Sequence, residues 1–155
     1  MKYTEDIQMT IDIDWFAVDL DGVIVHFASG GGKIPNSVAF NQSDTKKITQ
    51  YFRDLPVKAS DFKVSQTLDH IIKFPSRESQ ERYLNDFIEM ANRGLYSFDK
   101  TEPGNFSNKQ YHLVVSPEST LKLDSLPEDI QAILKRTKIP QRVSKIDRLL
   151  VNEVL

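Results

Sequence analysis

Apolar residues recur along this chain in two different rhythms. Between Trp15 and Phe27 they alternate: Trp15, Ala17, Val23, Val25 and Phe27 fall on one parity, Phe16, Val18, Ile24 and His26 on the other. A period of two sends successive side chains to opposite sides of a strand. Asp21-Gly22 separates the two runs, and glycine accepts the positive φ of a tight turn while Asp19 and Asp21 can bond nearby amides. The stretch is expected to be a β-hairpin. Both parities are largely apolar, so the pair belongs inside a larger sheet with at least partial cover on each face.

Elsewhere the rhythm is helical. Ile48, Tyr51, Phe52 and Leu55 follow the capping residues Ser43-Asp44-Thr45 and stop at Pro56. A longer helix starts at Ser76, carries the stripe Tyr83, Leu84, Phe87, Ile88 and Ala91, and ends at Gly94. A third starts near Pro127 with Ile130, Ile133 and Leu134 on its buried side. Leu95 to Phe98 and Tyr111 to Val115 read as strands, with a turn or loop from Asp99 to Asn108 between them, and Leu121 with Leu123 as one more short strand. Residues 57–75 fit either period. Val143, Ile146, Leu149, Leu150 and Val154 keep a helical repeat, so 140–155 is expected to be a C-terminal helix or an interaction tail through which the chain pairs with a copy of itself. Elements in this mixed order imply an α+β fold, a mainly antiparallel sheet with helices packed on one face.

Composition narrows the setting. The 155 residues suit a single domain, 1–155, with enough apolar content (39%) for its own core. No window approaches a membrane span, and no apolar leader precedes the acidic start, so a cytoplasmic location and no membrane partner are expected. With no cysteine, disulfides and thiolate metal sites are excluded. Charge is uneven: residues 1–32 set six acids against Lys2, and residues 135–155 set six bases against Asp147 and Glu153. The glycine run Gly30-Gly31-Gly32 could lend backbone amides to a phosphate, but it lacks the G-x-x-x-x-G-K-[ST] and G-x-G-x-x-G patterns. Nothing resembles a basic, aromatic-interleaved platform, so no nucleic-acid partner is expected.

Phe16-Ala17-Val18-Asp19-Leu20-Asp21-Gly22-Val23-Ile24 resembles the first motif of the haloacid-dehalogenase-like phosphohydrolases. That resemblance implies Asp19 as nucleophile, Asp21 as general acid, Ser116 as a second-motif hydroxyl, and Mg²⁺ beside them. No G-D-x-x-x-D or D-D follows Ser116 to complete a magnesium site. Turn chemistry accounts for the same residues.

A wider resemblance runs through Asp14-Trp15-Phe16-Ala17-Val18-Asp19, Asp21-Gly22, His26-Phe27, Ser29-Gly30-Gly31 and Ile34-Pro35, then Arg93-Gly94-Leu95-Tyr96-Ser97-Phe98-Asp99, Tyr111-His112-Leu113-Val114, Pro117 and Leu126-Pro127-Glu128-Asp129-Ile130. These blocks are similar to small uncharacterised bacterial proteins, some associated with toxin-immunity systems. That similarity implies a non-enzymatic protein that binds a protein partner, with no catalytic residue, cofactor or metal. Its expected partner surface is the acidic front Asp12, Asp14, Trp15, Asp19 and Asp21, an aromatic anchor with a polar rim. The alternative is the Mg-dependent phosphohydrolase using Asp19 and Asp21.

Overall fold

The computed structural model describes residues 1–58 and 61–155. The hairpin forms where the alternation predicts it. β1 (Asp14–Val18) runs antiparallel to β2 (Ile24–Ala28), pairing Trp15 with Phe27 and Val18 with Ile24. Gly22 sits at φ 79°, a conformation in which any side chain would be strained.

After the loop come α2 (Asn36–Ala39) and α3 (Gln42–Asp54), preceded at the N-terminus by α1 (Glu5–Thr10). The ambiguous stretch 57–75, of which residues 59 and 60 lie outside the described residues, uses both of its periods: β3 (Phe62–Val64) is followed by α4 (Leu68–Ile71). α5 (Arg77–Ala91) begins at Ser76, whose hydroxyl accepts from Ser79 N–H while the Ser79 hydroxyl accepts from Ser76 N–H. β4 (Tyr96–Lys100), β5 (Gln110–Pro117) and α6 (Glu128–Leu134) complete the long elements.

The strands form one sheet in the order β1-β2-β4-β5-β3, with β6 (Arg148–Leu150) also on β5. Four pairings are antiparallel, and β2 with β4 is parallel, so the sheet is mixed. Helices and strands do alternate irregularly, as the α+β expectation holds. Cover on one face alone does not describe the molecule. α3 and α6 pack over Phe16, Val18 and Ile24, and α5 over Ala28, Val114 and Val115. The opposite face buries Trp15, Phe27, Phe98 and Tyr111 beneath Tyr3, Ile34, Val38 and the C-terminal Val143, Leu149 and Val151.

Two local expectations are corrected. Residues 140–155 make no α-helix: a 3-10 turn (Val143–Lys145), β6 and a second 3-10 turn (Val151–Glu153) lay Val143, Leu149 and Val151 into the chain's own core. Pairing with β5 satisfies the backbone there, and two of the apolar positions that mimic a helical stripe, Val143 and Leu149, are packed one by one. Leu123 lies in a 3-10 turn (Leu123–Ser125) instead of a strand, tied by Leu123 N–H to the Gly22 carbonyl at 2.8 Å. Among the described residues, no helix is long and apolar enough to cross a membrane.

Candidate functional site

The acids of the hairpin turn are spent on geometry. Asp19 Oδ1 accepts from Asp21 N–H (2.8 Å) and Val23 N–H (2.9 Å), and its Oδ2 accepts from Val143 N–H (2.9 Å). One buried carboxylate thus closes its own turn and fastens the C-terminal segment to it. Asp21 reaches Arg142 at 3.3 Å on the surface, and Asp12 Oδ1 accepts from Gly30 N–H at 2.8 Å.

Asp14 and Trp15 leave the same strand in opposite directions. Trp15 is fully buried. It stacks on Phe27 with centroids 3.9 Å apart and meets Tyr111 edge-on, so its ring has no surface to offer a partner. The five residues of the expected acidic front therefore do not form one exposed patch: Asp12 and Asp21 are exposed, Asp19 lies in its turn, and Asp14 points under the helices.

Under those helices lies a row of polar groups that no sequence motif announces. His26 Nε2 is 2.8 Å from Asp14 Oδ1, and His26 Nδ1 is 2.6 Å from Ser97 Oγ. Asp14 Oδ2 accepts from Arg53 at 2.8 Å, and Arg53 also grips Asp86 of α5 through two nitrogens at 2.5 and 3.0 Å. Burial pushes the Asp14 carboxyl up, but its bonds to His26 and Arg53 outweigh that and bring it down to about 2. With Asp14 ionised, His26 Nε2–H donates to it, and Nδ1 and the Ser97 hydroxyl share the other hydrogen bond.

This is the connectivity of a Ser-His-Asp nucleophile. Its placement is different. Ser97 and His26 are fully buried, with the rings of Phe16 and Phe87 against the imidazole at 5.3 and 6.3 Å. A substrate carbonyl has no path to Ser97 Oγ in this conformation, whereas the linked side chains hold β1, β2, β4, α3 and α5 to one another.

A second group continues the row across β4 and β5. Tyr83 of α5 donates its hydroxyl to Asp99 Oδ2 at 2.6 Å and lies 3.3 Å from His112 Nε2. His112 Nδ1 is 3.1 Å from Thr101 Oγ1. Burial raises the Asp99 carboxyl to about 6, against the opposing bonds from Tyr83 and the Lys100 N–H. Burial lowers His112 to about 4. Of the remaining sequence candidates, His70 is exposed, and Ser116 Oγ bonds the Lys63 carbonyl on β3 at 3.4 Å. Among the described residues, no group of three or more His, Asp or Glu side chains is placed to hold a metal ion.

A large open cleft lies elsewhere. A cleft of about 810 Å³ runs beside the sheet edge where β3 and β6 both meet β5, lined by Phe62 and Val64 of β3, Tyr96 of β4, Leu113 of β5, and Ile146 and Asp147 of the C-terminal segment. Phe62 is 40% exposed. Lys63, Glu118 and Asp147 add charge to the cleft wall. The sequence signal for this cleft is faint, since Phe62 and Val64 show only a two-residue alternation. No family model, no curated protein and no solved structure matches this chain.

Proposed function

We propose that this protein acts by stoichiometric binding of a protein partner, as the immunity-type proteins its sequence resembles would, and that the cleft beside β3 is where the partner seats. The exposed Phe62 beside the partly buried Tyr96, Leu113 and Ile146 carries the reading. An apolar floor with a charged border has the anatomy of an interface. The hairpin acids support it from the other side. A phosphoryl-accepting aspartate needs a free carboxylate oxygen, and both oxygens of Asp19 are held by backbone N–H groups.

Two measurements test this. Hydrolysis of p-nitrophenyl phosphate with and without Mg²⁺ is expected to show no metal-dependent turnover for the natural protein or for Asp19→Asn, while that variant unfolds at lower denaturant. Metal-dependent turnover that disappears in Asp19→Asn overturns the proposal in favour of phosphoryl transfer. A partner co-purified from the source cells is expected to elute with the protein at a fixed 1:1 ratio and to be lost with Phe62→Asp. A partner bound equally by both proteins rules out the cleft.

A further inference from the structure

The loop after β2 and the last residue of β4 make an arrangement that neither the cleft nor the buried polar row uses. Lys100 closes β4 on the aromatic face, in register with Tyr111, and is 1% exposed. Its stem lies along Gly30 and Gly32. A Cβ at Gly30 would stand 3.3 Å from Lys100 Cβ, and one at Gly32 would stand 2.5 Å from Lys100 Cδ. Only glycine lets the loop backbone lie that close to the stem. Among the described residues, the Nζ at the end of that stem is buried and has no hydrogen-bond partner. Folds rarely keep a buried ammonium in that condition, because its lost hydration is returned by nothing.

The loop backbone beside it offers two further donors at partly exposed positions. Gly30 N–H donates to Asp12, Gly32 N–H to the Ser29 carbonyl at 2.7 Å, and Ile34 N–H to Gln8 Oε1 at 3.1 Å. The N–H groups between them, of Gly31 and Lys33, find no protein acceptor among the described residues. Next to the loop opens a cleft of about 430 Å³ whose ionisable side chains are Lys33 and Lys109. Lys33 is engaged by Glu5 at 3.2 Å. Burial pushes the Lys100 pKa down, with Glu102 and Asp99 drawing it up and Lys109 pushing it down, and Lys109 lines the cleft beside Lys33.

We propose that Lys100, Lys109 and the N–H groups of Gly31 and Lys33 form a binding site for the phosphate group of a small molecule. A tetrahedral dianion accepts from several directions and matches two ammonium groups and two amides, whereas a planar carboxylate carries half the charge. The anion enters from the Lys33–Lys109 cleft and reaches Lys100 Nζ when the glycine loop lifts from the stem. This cleft shares no lining residue with the one beside β3, so the site stands whether or not a protein partner binds there.

The test is a ¹⁵N amide titration with inorganic phosphate near neutral pH, with sodium chloride at matched ionic strength as control. Saturable shifts are expected at Gly30, Gly31, Gly32, Lys33 and Lys100. Lys100→Met, which keeps the stem and removes the ammonium, is expected to bind at least about tenfold more weakly. The same variant should be no less stable than the natural protein without phosphate. Lys109→Gln is expected to weaken binding as well, and Lys63→Gln, on the other cleft, to leave it unchanged. Phenyl phosphate should shift the same amides and acetate should not. Shifts spread over all surface lysines, equal affinity in Lys100→Met, or equal response to acetate would each overturn the proposal. If Lys100→Met does not fold, the Lys109→Gln comparison and the Lys100 Nζ resonance decide it.

Discussion

On the aromatic face of the sheet Trp15, Phe27, Phe98 and Tyr111 meet ring against ring, while on the helix-covered face the same strands present Asp14, His26, Ser97, Asp99 and His112 to one another. The first face is held by area removed from water and by ring packing, which are additive over many contacts and indifferent to pH. Stability on the second depends on partners. Each polar group there is tolerated because a specific neighbour at hydrogen-bond distance replaces its lost water, so every deletion strands something. Burial alone therefore does not make two regions equivalent: one resists by bulk, the other by pairing.

Emptying the aromatic face should do the most damage. Trp15→Ala is expected to lower the free energy of unfolding by about 3–5 kcal/mol, measured by denaturant titration, because the stacked ring leaves a cavity against Phe27 and Tyr111. A loss under about 1 kcal/mol would mean that this face repacks freely and that the comparison fails. On the polar face, Asp14→Ala is expected to cost about 2–4 kcal/mol by leaving His26 and Arg53 without their shared acceptor. Its cost should shrink as the pH of the measurement falls toward about 2, where the natural carboxyl also takes up its proton. A pH-independent cost would show that the carboxylate's charge is not what matters.

The finest contrast lies between Asp99 and His112. Asp99, raised to about 6, binds its proton more tightly in the folded chain, which favours folding below an ordinary carboxyl value of about 4, an advantage lost as pH rises through about 6. His112, lowered to about 4, resists its proton when folded, which favours folding above about 6.5 and is lost as pH falls toward about 4. The two slopes oppose each other over one window, so the natural protein should change little in stability between pH 4 and 6.5. Asp99→Asn should become less stable as pH falls across that window, and His112→Gln more stable, each by on the order of 1–2 kcal/mol. Parallel slopes in the two variants would remove the pairing from the explanation. The aromatic-face variant, corrected for its lower stability, should keep the natural protein's flat profile.

Much of the framework is legible in the residue pattern alone. The hairpin followed from alternation and from Asp21-Gly22, and α5 from a stripe that starts at a serine cap and ends at glycine, because both signals are local and repeat within one element. The C-terminal segment misled for an equally local reason. Val143, Ile146 and Leu149 keep a helical spacing, yet the open edge of β5 offers residues 148–150 backbone partners that a helix would forgo. Ser97, Asp99 and Tyr83 carried no signal, since a serine in a strand and a tyrosine on a helix stripe look like packing residues until another element supplies their acceptors.

What the chain's order of residues settled unaided was the hairpin at β1 and β2 and the long helix after Ser76, that Gly22 reverses the polypeptide, and that the Asp19 turn can be explained without chemistry. Only the folded arrangement decided that Trp15 faces inward, that Asp14 meets His26 and Arg53 from strands and helices far apart along the chain, and that Lys100 ends beneath Gly30 and Gly32 with no hydrogen-bond partner among the described residues. Periodicity records the environment of a residue relative to its own neighbours, whereas a hydrogen bond across the sheet depends on register and on which element lies above it. Those are properties of the assembled molecule.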